Sequence, residues 1–251
     1  MLTTHRKQAI LATLQRDGQV LAKALSEEFG VSEDTVRRDL RELAAEGKLQ
    51  RVHGGALPSS PAAVDFSQRQ GISTDGKSAI ARKAAGLVLP GQVVIVDGGT
   101  TCVQLVRHLP RTLQATIVTH SPSIAVELID HPGIEVILIG GRLFRHSMVA
   151  VGAAAIEAIG SIRADVYFMG VTGVHPTAGL STGDLEEAYV KRALAARAAE
   201  VVVPASAEKI NVASAFVIGE ASAASTLVVE SGTSEASIAH FTDMGIAVLR
   251  A

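Results

Sequence analysis

Five consecutive residues, Asp97-Gly98-Gly99-Thr100-Thr101, stand directly after the β-branched run Val93-Val94-Ile95-Val96. A strand that ends in glycines and opens a helix leaves backbone N–H groups converging on one point, a ready anion site. The glycines let a phosphate approach the backbone, the threonine hydroxyls add donors, and Asp97 can accept from a sugar hydroxyl. An ordinary strand-to-helix turn is written with the same residues, so the neighbouring turns matter. Thr119-His120-Ser121 follows the run Ala115–Val118, Gly140-Gly141 follows Val136–Ile139, and Gly170-Val171-Thr172-Gly173 follows Val166–Met169. In an open parallel sheet ligands bind beyond the carboxyl ends of strands, so these loops should gather on one edge. His120 is either a ligand or phosphate contact there, or a ring stacked in a packed loop.

A second cluster is cationic. Val36, Leu40 and Leu43 recur at helical spacing and define a face that must pack inward. The opposite face carries Arg37, Arg38 and Arg41, with Ser32 and Thr35 at the helix start, where a major-groove helix presents its base-contacting residues. Arginine reaches a guanine edge or a phosphate, and Ser or Thr donates to either. Downstream, Leu49-Gln50-Arg51-Val52 alternates like an edge strand before His53-Gly54-Gly55-Ala56. Such a hairpin is a wing that sets Lys48 and Arg51 against phosphates. Three short helices bearing arginines also describe a solvated, protein-binding bundle.

The elements that must position these groups are legible in outline. Ile10, Leu11 and Leu14 end at Gly18, and Ala22, Leu25 and Phe29 end at Gly30, each glycine suited to closing a helix. The arginine-bearing helix starts at Ser32, a good N-cap, with Glu33 and Asp34 in its first turn, and runs to Gly47. Leu57 to Ala63, with two prolines and two serines, divides the chain. We therefore expect a DNA-binding domain over 1–57, a linker over 58–64 and a larger domain over 65–251. In the larger part short apolar runs, including Val201–Val203 and Leu227–Val229, alternate with Ala-rich helical stretches such as Lys77–Leu87 and Asp184–Ala198. That texture gives an α/β fold with a mostly parallel sheet.

The chain of 251 residues is 47% hydrophobic, enough for a sizeable core, and its net charge of -2 announces no global nucleic-acid partner. Residues 1–57 carry 9 Lys+Arg against 8 Asp+Glu, and the remainder 14 against 17, so the head is the more basic part. Cys102 is the single cysteine, which excludes an internal disulfide framework and a cysteine-rich zinc cluster and fits a reducing, cytoplasmic setting. His131 and His175, each before a proline, lack paired spacing with acidic residues, so no metal site and no cofactor are expected.

Three strings carry a resemblance: Arg6-Lys7-Gln8-Ala9-Ile10, Phe29 to Leu40 with its Val-Ser-x-x-Thr-x-Arg-Arg-Asp-Leu core, and Gly47 to Ala56 with its Arg-x-His-Gly-Gly-Ala wing. They resemble the DeoR family of bacterial transcription regulators, in which this region is a winged helix-turn-helix on operator DNA. The resemblance implies DNA contacts from Ser32, Thr35, Arg37, Arg38, Arg41, Lys48, Arg51 and His53. Asp39 is read as structural, pairing with a neighbouring arginine, since a carboxylate facing phosphates would be repelled. The sensor half matches at Phe66-x-x-Arg69, Lys77-x-x-Ile80-Ala81, Asp97–Thr101, Val118–Ser121, Gly140-Gly141, Ala164-Asp165-x-x-Phe168-x-Gly170, Gly179–Thr182, Glu187-x-x-x-Lys191-Arg192-Ala193 and Lys209. That half is similar in fold to ribose-5-phosphate isomerase, glucosamine-6-phosphate deaminase and CoA transferases. It implies a phosphorylated sugar as effector, with Gly99, Thr100 and Thr101 on the phosphate and Lys191 or Lys209 as charge partners. Asp97, Ser121, Gly140, Gly141 and Glu187 would line the sugar. This chain departs from the family's usual Thr-Asn-Ser at Thr119-His120-Ser121, and from its Asp-x-Ser-Lys at Ala205 to Lys209. Lys191 also sits at salt-bridge spacing from Glu187.

The rival reading is a sugar-phosphate isomerase or deaminase with an accessory DNA-binding head. Such chemistry needs a carboxylate base near the sugar carbons and a second acid or base. The turn after Met169 is Gly170-Val171-Thr172-Gly173 and offers none, leaving Glu187 as the sole candidate. A binding pocket fits better, and the expectation is a homodimeric or homotetrameric repressor of carbohydrate catabolism genes, relieved by a sugar phosphate.

Overall fold

The computed structural model describes residues 2–61, 66–69 and 74–251. Residues 62–64 of the expected linker lie outside the described residues. The N-terminal head consists of α1 (Thr3–Asp17), β1 (Val20–Leu21), α2 (Ala22–Phe29), α3 (Glu33–Ala45), β2 (Leu49–Val52) and β3 (Gly55–Pro58), its strands forming an antiparallel sheet in the order β1-β3-β2. The helix-closing glycines take the left-handed conformation, with φ of +73° at Gly18 and +62° at Gly30. In the His53-Gly54-Gly55 turn the two glycines do different work. Gly54 supplies a φ of +78°, whereas a Cβ on Gly55 would sit 1.9 Å from the Val20 carbonyl oxygen, so only glycine lets β3 close on β1.

Ile10, Leu14, Leu25, Val36, Leu40 and Leu43 make the head's own core. At its edge Asp39 of α3, fully buried, takes two hydrogen bonds from the buried Arg6 of α1, one from Nε and one from Nη2 at 3.1 Å. The partner of Asp39 is thus an arginine 33 residues away in sequence, not one on its own helix. The hydrogen bond to Asp39 outweighs burial and raises the Arg6 pKa further. A bidentate fork holds the two helices in one orientation.

After α4 (Phe66–Arg69) and α5 (Thr74–Ala85), the larger domain runs β4 (Val93–Val96), α6 (Thr100–Arg107), β5 (Ala115–Thr119), α7 (Pro122–Leu128), β6 (Ile134–Leu138), β7 (Arg142–Phe144), β8 (Val149–Val151), α8 (Ala153–Ile159) and β9 (Ala164–Phe168). There follow β10 (Gly173–His175), β11 (Gly179–Thr182), α9 (Leu185–Ala195), β12 (Ala198–Pro204), β13 (Phe216–Gly219), β14 (Thr226–Val229), α10 (Glu235–Asp243) and β15 (Ala247–Arg250). Seven strands form one parallel sheet in the order β15-β14-β12-β9-β4-β5-β6. Strand alternation feeds two cores: Ile95 and Tyr167 face α8, α9 and α10, while Val94, Val96, Val166 and Phe168 face α5, α6 and α7. This is the α/β class expected, with helices on both faces.

The chain starts in the middle of the sheet at β4, winds outward through β5 and β6, then returns to β9 on the other side. Between β4 and β9 the winding reverses, and the crevice at their carboxyl ends is where such sheets bind ligands. Two smaller antiparallel sheets, β7-β8 and β10-β11-β13, were not anticipated from sequence. Among the described residues no helix is long and apolar enough to cross a membrane.

Replacing Asp39 by alanine leaves the Arg6 guanidinium buried without the Asp39 carboxylate, which should cost about 3–5 kcal/mol. The double variant Arg6→Met/Asp39→Leu should recover most of that loss. Circular-dichroism melting of the full chain, with operator binding alongside, checks both.

Candidate functional site

The exposed face of α3 carries Arg37, Arg38 and Arg41. Ser32 caps the helix, accepting from the Thr35 N–H at 3.2 Å, and its Oγ lies 2.9 Å from Thr35 Oγ1. Both hydroxyls are therefore engaged in holding the helix start. Arg37 pairs with Glu33 one turn back, Nη2 to Oε1 at 2.7 Å, so it must exchange that partner to reach DNA. Such an exposed pair is weak and yields readily to a phosphate. Arg38 and Arg41 have no ion-pair partner among the described residues and project freely. Lys48, whose Nζ lies 2.6 Å from Glu46, precedes β2, and Arg51 and His53 are exposed on the wing.

The second site lies at the switch point. Gly98, Gly99, Thr100 and Thr101 form one wall after β4, and Gly170, Val171 and Thr172 form another after β9. Glu187 and Lys191 of α9, Lys209 and Lys77 complete the lining, with Ser147 and Thr182 beside Glu187. Gly99 has a φ of +112° and caps α6, so the free N–H groups of the first turn open onto the pocket. Thr101, one of the lining residues, has a buried Oγ1 without a hydrogen-bond partner. Three lysines line the pocket against Glu187 on the lining and the Asp97 carboxylate beneath it, a cation-rich setting suited to an anion.

Beneath the lining sits Asp97, fully buried. Its Oδ1 accepts from the Gly98 N–H and faces His120 Nε2, both at 2.7 Å. Its Oδ2 accepts from Tyr167 Oη and the Gly170 N–H at 2.8 Å, and from Lys191 Nζ at 2.6 Å. Burial alone would push this carboxyl up, but Lys191 and His120 outweigh it and hold it well below the usual carboxylate range. The same burial would lower Lys191, yet the charges of Asp97 and Glu187 raise it, so the ammonium persists. Burial and the Asp97 charge keep the Tyr167 phenol protonated far above its ordinary value. The other ring nitrogen of His120, Nδ1, lies 2.9 Å from the Ala150 carbonyl, so the ring bridges Asp97 to β8.

Ser121 donates to the Met148 carbonyl at 2.8 Å, fixing a left-handed Met148 (φ +55°) next to Ser147. Ser147 and Thr182 both donate to Glu187 Oε2, at 3.2 and 2.9 Å, and Lys191 lies 3.2 Å from Oε1. Glu187 is thus engaged on both oxygens, and no second carboxylate is among the lining residues described.

Residues 6–61 match the model of the DeoR-like helix-turn-helix domain, and residues 72–231 match that of the DeoR C-terminal sensor domain. The chain belongs to the DeoR family. It is 34% identical over 213 residues to the HTH-type transcriptional regulator GlpR of Haloferax volcanii, covering 84% of this chain and 83% of that protein. It is 33% identical over 195 residues to the glycerol-3-phosphate regulon repressor of Escherichia coli K12, covering 77% of each. Ribose 5-phosphate isomerase A of Methanocaldococcus jannaschii aligns in structure with a TM-score of 0.39 and 19% identity over 52% of this chain and 51% of that one. As a DeoR-family member the protein is a transcription regulator and not an enzyme, with an operator-binding head and a small-molecule sensor domain.

The structure brings together Gly98, Gly99, Thr100, Thr101, Gly170, Glu187, Lys191 and Lys209 from four separate stretches of the sequence. Asp97, His120 and Ser121 lie underneath as scaffold. Gly140 and Gly141 are off the lining: they follow β6 at the edge of the sheet, and a Cβ on Gly141 would meet the Val151 carbonyl oxygen at 2.9 Å. Lys77, Ser147, Thr172 and Thr182 were missed as site residues. Lys77 stood in plain view as a lysine on a helical stretch, and only the topology reveals that α5 ends its first turn over the pocket.

Thr101→Val removes a buried hydroxyl that makes no hydrogen bond, so the folded chain should gain about 1 kcal/mol while losing affinity for an anionic ligand. Thermal melting and ligand titration separate the two effects. Arg38→Ala should weaken operator binding by about 1–3 kcal/mol, with relaxed base preference if it meets guanine or a shallower salt slope if it meets phosphate. Fluorescence anisotropy across a salt series distinguishes them.

Proposed function

We propose that this protein represses carbohydrate-catabolism genes by seating α3 in the major groove of operator half-sites, as a dimer or tetramer, and that a small phosphorylated sugar or polyol phosphate in the switch-point pocket releases it. The supporting observation is the convergence at one point of the uncapped α6 N-terminus, the unpaired Thr101 hydroxyl and three lysines. Free backbone N–H groups and cations together are what a phosphate dianion selects. The hydroxyls of the remaining carbon chain would meet Glu187, Ser147 and Thr182, which are already arranged as a hydrogen-bonding set. The name of the glycerol-3-phosphate regulon repressor, a relative over most of the chain, fits the same ligand chemistry.

The space accessible to water inside the pocket is about 30 Å³, room for one or two waters. Small-molecule sites of roughly 300 Å³ or more are the norm, so an effector seated wholly inside would displace lining side chains. Binding and conformational change are thereby tied together. Ligand shifts an equilibrium only through different affinities for its two states, and the coupling is reciprocal.

Operator affinity measured with and without a panel of sugar and polyol phosphates, each beside its unphosphorylated parent, tests this. An active phosphate should weaken operator binding about 5–150-fold, and operator DNA should weaken binding of that phosphate by the same factor. Equal effects from the unphosphorylated parents, or none across the panel, would overturn the phosphate reading.

A further inference from the structure

The strand that forms the wing does not stop at the head. After β3, Ser59 pairs in parallel with Ala213 of the sensor domain, and the Ala213 N–H donates to the Pro58 carbonyl at 3.5 Å. The next residue, Ser60, is buried, and its hydroxyl donates to the main-chain carbonyl of Thr172. Thr172 is itself a pocket wall, two residues after the Gly170 N–H that binds Asp97. The second half of the junction also springs from the pocket, because Ala213 lies just after Lys209 on a segment that turns sharply at Asn211 (φ +60°).

Hydrogen bonds tie these two segments to each other. Thr172 Oγ1 lies 2.7 Å from Ser214 Oγ, the Ser214 N–H donates to Ser181 Oγ at 2.9 Å, and the Thr172 N–H donates to the Ser181 carbonyl at 3.0 Å. Ser60 therefore grips a hydrogen-bonded knot whose other side is the wall of the pocket. On the far side of the wing is open space: a cleft of about 690 Å³ has Arg51 and His53 on the head side and Pro176, Gly179 and Val217 on the sensor side. A head hinged at the junction has room to swing, and its wing residues face that room.

We propose that Ser60 is a positioning residue that latches the wing strand to the effector pocket, so that displacement of the Gly170–Thr172 wall by a ligand reorients the head. This rests on reading the pocket as the effector site. An effector seated inside the pocket moves the wall, the wall carries the Thr172 carbonyl, and that carbonyl is held by the residue two positions beyond the end of β3. Because head and sensor have separate cores, loss of the Ser60–Thr172 hydrogen bond leaves both folded.

The test uses the full chain as wild type, Ser60→Ala and Ser60→Thr, with glycerol 3-phosphate and inorganic phosphate as probes. In Ser60→Ala without any probe, amide hydrogen exchange in residues 55–60 and at Ala213 should speed up about tenfold as the junction opens. With a probe that weakens wild-type operator binding about tenfold, Ser60→Ala should respond less than about threefold while binding the probe as tightly as the wild type. Ser60→Thr, which keeps the hydroxyl, should restore the response. Unchanged exchange together with a full response in Ser60→Ala overturns the latch. If neither probe affects operator binding by the wild type, the effector reading fails for these phosphates, and the exchange measurement alone decides whether the latch exists.

Discussion

A carboxylate shut away from water under the ligand pocket is the constraint around which the sensor domain is arranged. Asp97 has two oxygens and about four lone-pair positions, and five donors converge on them. Each donor comes from a different part of the wall or floor: the start of the α6 turn, the end of β5, β9, the turn after β9, and α9. A buried charge is tolerable only when paired and hydrogen-bonded, and removing one member costs more than the network contributes as a whole. The pocket walls are consequently fixed to one another through Asp97, whose acceptor capacity is spent on the protein. The pocket itself is lined by the other sides of these groups: glycine backbone, threonine and lysine.

The head repeats the device on a smaller scale. Asp39 shares its helix with the exposed arginines Arg37, Arg38 and Arg41, but points the other way, into Arg6. One guanidinium fork sets the angle between α1 and α3, and that angle decides where Arg38 and Arg41 project. In both domains a buried acid on the functional element organises the surface and touches nothing outside the protein. This also explains why acids occur beside anion-binding residues, a placement that would be repulsive if their charge reached the ligand.

The parts of this design that were legible in the sequence are those written in local chemistry. Ser32 as N-cap, Gly18 and Gly30 as helix ends, and the β-branched runs of β4 and β5 follow from backbone sterics and burial, and they stand close to where the residues put them. The short β10, β11 and β13 were not legible, because runs such as Gly173–His175 have neither length nor alternation. The site residues divide along the same line. A glycine pair after β4 and a glycine pair after β6 look alike in sequence, since both follow an apolar run. Strand order separates them: β4 adjoins the reversal in winding and β6 is the sheet edge. His120 could be a contact or packing from its type alone, and its place between Asp97 and Ala150 is a long-range fact that no local pattern encodes.

The same reasoning bears on how signal leaves the pocket. Packed interiors are bistable and not continuously deformable, so a ligand that needs more room than the pocket offers must select another arrangement of its wall. The Asp97 network resists movement of the floor, since each donor lost leaves a buried charge short of partners. The displaced side must then be the one least bound to Asp97, and beyond the Gly170 N–H the turn through Val171 and Thr172 makes no contact with that carboxylate. It is held instead by the serine and threonine hydroxyls of the junction, neutral groups whose hydrogen bonds are individually worth about 1 kcal/mol and exchange readily. A floor anchored by charge and a wall anchored by hydroxyls gives the pocket one stiff side and one compliant side, and the compliant side is the one joined to the wing.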